Sequence, residues 1–116
     1  MFQIIVQDHR GISWNKFYDT PHWTKRAEMA KDVHWLVRTA LPAEYEMFKG
    51  PVDIRVQAHY KHHPTDSDNV CAKIYVDGLK GLLIEDDDPR YVRDCTTRSV
   101  TGCCDDYVVI QITEVE

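Results

Sequence analysis

Apolar and polar side chains alternate along one stretch in the middle of the chain, Val52-Asp53-Ile54-Arg55-Val56-Gln57-Ala58. Side chains two residues apart share one face of a β-strand, so this alternation predicts a strand with one face in the core and one in water. Three further segments are rich in β-branched and apolar residues: residues 2–7, 91–100 and 107–115. They are also predicted to be strands.

Two helices are predicted between these strands. The first begins at Pro21, with Thr20 as its N-cap, and ends before Pro42, because proline suits the first turn of a helix but disfavours helical geometry in the residue before it. Its apolar residues recur at three- and four-residue steps, as on the buried face of a helix. They are Trp23, Ala27, Ala30, His34, Val37 and Leu41, widened by Met29, Val33, Leu36 and Ala40. The second helix is predicted over residues 68–83, and residues 8–20 are predicted to be a loop.

The resulting order is β-α-β-α-β-β, which predicts an α+β protein with a mostly antiparallel sheet and helices packed on one face. A length of 116 residues suits one domain over residues 1–116. No apolar run approaches the roughly 20 residues of a membrane helix, so no membrane partner is expected. The first ten residues lack the basic and small-residue signals of a secretory leader, so a cytoplasmic protein is expected.

The charges are unevenly distributed. The chain has 14 Lys and Arg, 19 Asp and Glu and a net charge of −5, which taken alone argues against a nucleic-acid partner. Residues 1–63, however, have a net charge of +2 and all six His, whereas residues 64–116 have −7. The acids gather at 66–68 and 85–88. Two compact carboxylate groups repel each other unless a cation separates them, so the pattern predicts a metal site, with a solvated acidic surface as the alternative.

Asp66 and Asp68 flank the predicted start of the second helix. Asp68 can cap the first turn there, but two carboxylates at this spacing also suit Mg²⁺, which takes oxygen ligands and few protein groups. Lys73 lies about a turn further on, either near a phosphate held by the metal or simply paired with Asp77. Asp86 and Asp87 reach the first pair only if the chain turns back, since a helix over 68–83 is about 24 Å long.

The cysteines and three of the histidines do not indicate a metal site as clearly as the acids do. Cys71, Cys95, Cys103 and Cys104 contain no C-x-x-C pair and are predicted to be free thiols. A second set, His59, His62 and His63 with Cys103 and Cys104, matches no standard zinc spacing. We interpret these histidines as a basic, titratable edge near a phosphate ligand.

Several motifs occur together and in order. They are Asp66-Ser67-Asp68-Asn69 with Lys73, then Val76-Asp77-Gly78-Leu79, then Ile84-Glu85-Asp86-Asp87-Asp88-Pro89-Arg90-Tyr91-Val92. This set resembles the RusA-like family of Holliday-junction resolvases, which has a D-x-D-N segment, a following Lys, a D-[AG]-L helix and a D-D turn before the next strand. Asn15-Lys16-Phe17-Tyr18 and His22-Trp23-Thr24-Lys25-Arg26 are similar to the Asn-x-x-Tyr element and HW-x-x-R helix start of one branch of that family. The resemblance covers nearly the whole chain.

The resemblance implies a homodimeric, Mg²⁺-dependent endodeoxyribonuclease, with Mn²⁺ as a possible substitute. Such an enzyme resolves four-way DNA junctions by paired symmetric nicks, in recombination and repair, in a bacterial or phage-infected cell. The family's catalytic carboxylates correspond to Asp66, Asp68 and Asp87, its Lys to Lys73, and Asp86 is an adjacent metal ligand. The expected DNA contacts are Asn15, Lys16, Trp23, Lys25, Arg26, Lys31 and Arg38. Trp23 would stack at the branch point, or else lie in the core as part of the apolar helix stripe.

Two other functions stay open on the sequence. One is a non-catalytic DNA-binding module that keeps the fold but does not cut. The other is a metal-dependent nuclease for other branched or single-stranded DNA. The three hypotheses differ in whether DNA is cut when Mg²⁺ is present, and in which DNA shape is cut.

Overall fold

The four predicted strands form one sheet in the computed structural model, which describes residues 1–19 and 22–115. They are β1 (Phe2–Val6), β2 (Val52–His59), β3 (Val92–Val100) and β4 (Tyr107–Glu114), in the spatial order β1-β4-β2-β3. β4 pairs antiparallel with β1 and with β2, whereas β2 and β3 run parallel. The sheet is therefore mixed, and the predicted antiparallel character holds for two of its three pairings.

Three helices accompany the sheet: α1 (Trp14–Asp19), α2 (Trp23–Ala40) and α3 (Ala72–Leu79). A short 3-10 turn, Ser67–Asn69, precedes α3. Because α3 connects β2 to β3, the chain returns to the same end of the sheet before β3 begins, which makes that pair parallel. The α+β class is confirmed. No helix that the structure describes has the length and apolar character to cross a membrane.

The core lies between one face of the sheet and the helices. In β2 the apolar members of the alternation, Val52, Ile54, Val56 and Ala58, are all fully buried, as predicted. The neighbouring strand β4 contributes Val108, Ile110 and Ile112 to the same layer. Side chains of α2 and α3 close this layer from one side. The opposite face of β2 keeps the polar half of the alternation.

The predicted loop over residues 8–20 contains a helix, α1. Ser13 starts it, since the Ser13 hydroxyl accepts a hydrogen bond from the Lys16 backbone N–H at 3.0 Å. This is the bond that an N-cap side chain makes. The helix was not predicted because its six residues are too few to show a clear helical spacing of apolar side chains. Thr20 and Pro21, the predicted start of the next helix, lie outside the described residues.

The buried face of α2 is centred on Val33 and Val37, not on the whole predicted stripe. Trp23 at the first turn is 73% exposed, so its interpretation as a core residue is wrong. Ala27 is exposed as well. The steps of the predicted stripe alternate between four and three residues, so Trp23 lies within about 40° of Val37 around the helix axis. Trp23 is exposed because the apolar residues of α2 that pack against the core begin only at Met29, beyond the first turn.

The predicted second helix over residues 68–83 is much shorter. Val70 is extended and forms an isolated bridge with Ser13, and the Cys71 N–H donates to the Ile12 carbonyl, so α3 begins only at Ala72. At the other end, Gly81 has φ +78°, a conformation that favours glycine. The chain turns back there. At eight residues α3 is about 12 Å long, half the predicted length.

Candidate nucleic-acid interface and carboxylate cluster

Asp66 and Asp68 lie on the 3-10 turn, and that turn is held against the edge of the sheet. The Thr97 hydroxyl donates to the Ser67 carbonyl at 2.6 Å, and the Ser99 N–H donates to the Ser67 hydroxyl at 3.0 Å. Both bonds use Ser67, the residue between the two acids. They leave both Asp side chains exposed, and no side-chain cap bond forms at the start of this turn.

A second group of carboxylates surrounds one ammonium. Lys80 Nζ lies 3.3 Å from Asp77 Oδ1, 3.8 Å from Asp86 Oδ1 and 3.1 Å from Asp87 Oδ2. The turn at Gly81 brings Asp86 and Asp87 back beside the end of α3. We call these four side chains the Lys80 cluster. The sequence analysis missed Lys80 as its centre, although Lys80 follows Asp77 by three residues on the predicted helix face.

The charges in the Lys80 cluster stabilise one another. The hydrogen bond from Lys80 to Asp87 is the main cause that raises the pKa of Lys80. Burial by itself raises the pKa of Asp87, but the hydrogen bond and charge of Lys80 outweigh it and the net pKa is lowered. Both shifts favour the ionised pair. Asp77 Oδ1 is buried and meets Lys80 as an ion pair without hydrogen-bond geometry.

The structure keeps the two acidic groups separate. Lys73, predicted either to face a phosphate beside Asp66 and Asp68 or to pair with Asp77, has its Nζ 3.4 Å from Asp77 Oδ2, one turn further along the same face of α3. Within residues 1–19 and 22–115, no group of three or more His, Cys, Asp or Glu side chains is placed to hold a metal ion. The predicted convergence of Asp66, Asp68 and Asp87 is therefore absent from this arrangement of the chain.

A groove of about 420 Å³ runs between α2 and the end of α3 and reaches the Lys80 cluster. Its α2 wall presents Lys31, Asp32, Trp35 and Arg38, and the end of α3 presents Asp77 and Lys80. Lys31 and Arg38 were predicted DNA contacts; both are exposed, and neither forms an ion pair with any residue that the structure describes. We call this feature the α2–α3 groove.

Trp35 is the functional candidate that the sequence analysis missed. Its side chain is 64% exposed and stands between Lys31, four residues earlier, and Arg38, three residues later. These spacings put the three side chains on neighbouring positions of one helix surface. The Lys-Trp-Arg spacing indicates such a surface in the sequence, but the predicted apolar stripe lies on the opposite face of the helix.

The remaining predicted DNA contacts are spread along α1 and α2. Asn15 and Lys16 lie exposed on α1, and Trp23 and Lys25 lie exposed on the first turn of α2. Arg26 is half-buried. The exposed surface of α2 therefore carries several cations and the indoles of Trp23 and Trp35, together with two exposed acids, Glu28 and Asp32.

The sequence matches no protein-family model and no curated protein. The resemblance to the RusA-like family therefore rests on the ordered motifs of the chain itself.

Proposed function

We propose that this protein binds branched DNA and cuts it as a Mg²⁺-dependent endodeoxyribonuclease that resolves four-way junctions. One observation carries the proposal. Lys80 both lines the α2–α3 groove and contacts Asp86 and Asp87, so a groove that bears Lys31, Arg38 and an exposed indole ends at a group of carboxylates. Phosphate-binding cations beside hard oxygen ligands are what a metal-dependent phosphodiesterase requires.

The groove supplies DNA contacts of two kinds. Lys31 and Arg38 bind phosphates, which positions the duplex without reading its sequence. Trp35 stacks on a base that the branch point leaves unstacked, as exposed aromatic side chains do in proteins that bind single strands. Trp23, about three turns earlier on α2, offers a second stacking surface on the same helix.

The carboxylates fit Mg²⁺ in their chemistry. Mg²⁺ is usually held by one or two carboxylates and the substrate's phosphates, and not by a cage of protein ligands. Asp66 with Asp68, and Asp86 with Asp87, are two such pairs. A bound Mg²⁺ would supply an activated water and stabilise the charge that develops on the phosphate oxygens. Lys80 borders Asp86, Asp87 and the α2–α3 groove, where its ammonium would stabilise a phosphate that enters the groove. Lys73, which was predicted to have this role, is paired with Asp77.

The proposed enzyme is a homodimer that acts in the cytoplasm. Resolution needs two opposed nicks, and a two-fold dimer with one site per subunit supplies both. The protein would work in the cytoplasm of a bacterial or phage-infected cell, where branched DNA arises during recombination and repair.

The test uses a synthetic four-way junction, a matched duplex and a single strand, each with Mg²⁺ or with EDTA. Paired symmetric nicks on the junction that need Mg²⁺ are expected, and Mn²⁺ is expected to replace Mg²⁺. Asp66→Asn, Asp68→Asn and Asp87→Asn should each abolish cutting and keep or strengthen junction binding, because each removes a negative charge near the phosphates. Asp105→Asn, which changes an exposed acid on the turn between β3 and β4, is the matched control and should cut normally.

One observation favours a second candidate, a DNA-binding module without catalysis. The ammonium of Lys80 already neutralises Asp77, Asp86 and Asp87, so this cluster holds its charge balance without a metal. Junction binding without cutting, unchanged by Asp68→Asn, would establish this candidate in place of the first. Cutting of flaps or single strands as fast as junctions would instead indicate a nuclease of different specificity.

A further inference from the structure

A cysteine, a histidine and a glutamine form a contact series on the sheet face that the helices leave uncovered. Cys103 Sγ lies 3.5 Å from His59 Nδ1, and the other ring nitrogen, His59 Nε2, lies 2.8 Å from the side-chain amide nitrogen of Gln57. We propose that Cys103 is a nucleophilic thiol, activated by His59, that exchanges with low-molecular-weight disulfides to form a mixed disulfide. This inference is independent of the proposed nuclease function.

The fold builds this arrangement from several elements. Gln57 and His59 are two residues apart on β2, so their side chains share one face. Tyr107 is the β4 partner of His59 in the sheet register, and its ring stacks on the imidazole with centroids 4.2 Å apart and planes 11° apart. The Cys103 N–H donates to the Tyr60 carbonyl at 3.3 Å, which holds the cysteine backbone beside the end of β2.

The contacts follow the order of nucleophile, base and orienting group that activates a thiol in covalent catalysis. In the reactive arrangement the Gln57 amide is rotated by half a turn from the orientation in which its nitrogen faces His59 Nε2. Nε2–H then donates to the amide oxygen, and Nδ1 accepts the proton of the thiol. The stacked Tyr107 ring restricts rotation of the imidazole. His59 therefore presents one defined nitrogen to the sulfur.

Burial and one nearby positive charge keep His59 in its neutral, proton-accepting form. Burial, and then the positive charge of Arg98 on β3, lower the pKa of His59. The other groups against the ring are the Tyr107 hydroxyphenyl on β4, the Gln57 amide on β2 and the Cys103 thiol itself. A lowered pKa leaves the imidazole neutral at neutral pH and able to accept a proton.

The reaction balances without a further oxidant. Cys103 Sγ attacks one sulfur of the small disulfide, and the thiol proton passes to His59 Nδ1. A new S–S bond forms at Cys103 while the S–S bond of the reagent breaks, and the departing thiolate takes the proton back from the imidazolium. One protein thiol and one disulfide become one mixed disulfide and one small thiol.

Cys104 provides an internal comparison. It is the next residue and is exposed, whereas Cys103 is only half-exposed, so accessibility alone predicts that Cys104 reacts faster. The probe is oxidised glutathione at pH 7, and the readout is the rate at which the tryptic peptide that begins at Ser99 gains one glutathionyl group. Cleavage after Arg98 separates this peptide from Cys95.

Cys103 remains in the Cys104→Ser protein, and Cys104 remains in the Cys103→Ser protein. We expect the first to react at least about tenfold faster than the second, because a well-placed general base contributes about 10²-fold or more. Adding His59→Gln to Cys104→Ser should lower the rate at least about tenfold, within the same general-base range. Adding His62→Gln, a change at an exposed histidine three residues away, should leave it unchanged.

Equal or faster reaction of Cys104 would overturn the proposal, as would a rate at Cys103 that does not respond to His59→Gln. If His59→Gln unfolds the protein, as judged by circular dichroism, the comparison of the two single cysteine variants still decides the matter. That comparison leaves His59, Gln57 and Tyr107 in place.

Discussion

At the scale of single residues, Trp35 is a large aromatic side chain that the fold leaves exposed between two cations. Leaving a tryptophan side chain in water gives up the favourable free energy of burying its large apolar area. Trp35 nevertheless stands 64% exposed between Lys31 and Arg38. A partner with a flat apolar surface and negative charge, such as a nucleobase with its phosphate, complements this arrangement.

We therefore expect Trp35→Ala to weaken binding of a four-way junction by about 1–3 kcal/mol, the usual range for one base stacked on an aromatic ring. Junction binding should also quench tryptophan fluorescence in the native protein. The measurement is a fluorescence titration with fixed salt, and Tyr45→Ala, at an exposed aromatic residue outside the groove, is the control. Equal affinities for the native protein and Trp35→Ala would remove Trp35 from the interface.

Lys80 controls the ionisation of its neighbours. We expect Lys80→Met to raise the pKa of Asp87, because burial then acts without an opposing ammonium. Nuclear magnetic resonance titration of the Asp87 carboxyl measures this. Lys73→Met, which removes an ammonium that contacts only Asp77 in the ion pairs described, should leave the pKa of Asp87 in its native range.

The same substitution predicts a pH dependence of stability. The native pKa of Asp87 lies below its ordinary value of 3.8, so its contribution is present above that value and is lost as pH falls through the native pKa. The pKa of Lys80 lies above 10.5, so its contribution is lost as pH rises through that raised value. The difference in unfolding free energy between native protein and Lys80→Met should be largest between these limits and shrink in acid.

At the scale of elements, two buried tyrosines form hydrogen bonds to the backbone of the segment before α1. The Tyr60 hydroxyl donates to the Gly11 carbonyl at 3.2 Å, and the Ile12 N–H donates to the Tyr75 hydroxyl at 2.9 Å. The Tyr75 hydroxyl oxygen also lies 2.8 Å from His9 Nε2, and burial lowers the pKa of that imidazole, which favours its neutral form. These bonds explain why α3 starts late, since the same segment pairs with Val70.

Gly11→Ala should destabilise the protein by about 1–3 kcal/mol, as overpacked cores usually do. A Cβ at Gly11 would lie 2.7 Å from Ala58 Cβ and 2.8 Å from the Tyr60 hydroxyl oxygen, and both are buried. The measurement is the midpoint of urea unfolding. Gly50→Ala is the matched control, because a Cβ there meets nothing within 4 Å and should change the midpoint little.

At the scale of the whole molecule, a net charge of −5 and a DNA-binding surface are compatible because the charges are unevenly distributed. Four of the acids are gathered at residues 66–68 and 86–87, and Lys80 neutralises part of the second group beside the α2–α3 groove. The long-range field of the protein still opposes DNA, so binding must depend on local phosphate contacts. Such contacts release counterions and make affinity sensitive to salt.

We expect weak, strongly salt-dependent binding to plain duplex. Lys31→Ala and Arg38→Ala should each reduce the slope of log affinity against log salt concentration by about 0.9, the value for one lost phosphate contact on duplex DNA. Fluorescence anisotropy over a salt series measures the slope. Lys49→Ala, a change at an exposed lysine in the segment before β2, should leave the slope as it is, and an unchanged slope in Lys31→Ala would exclude that contact.

Local pattern was enough to predict the four strands, the long helix and the α+β class. The alternation from Val52 to Ala58 and the spacing of Val33 and Val37 reflect burial on one face, and each such signal lies within a single element. The acids at 66–68 and 85–88, and the four free cysteines, were likewise visible without a fold.

Only the tertiary structure determined which of these residues meet. The bridge between Ser13 and Val70 shortened α3, and the turn at Gly81 carried Asp86 and Asp87 to Lys80 instead of to Asp66 and Asp68. The pairing of β2 with β4, together with the turn that follows β3, brought His59 against Tyr107 and Cys103. These contacts join residues that are far apart in the chain, and their energies depend on distance and burial, which spacing along a sequence does not contain.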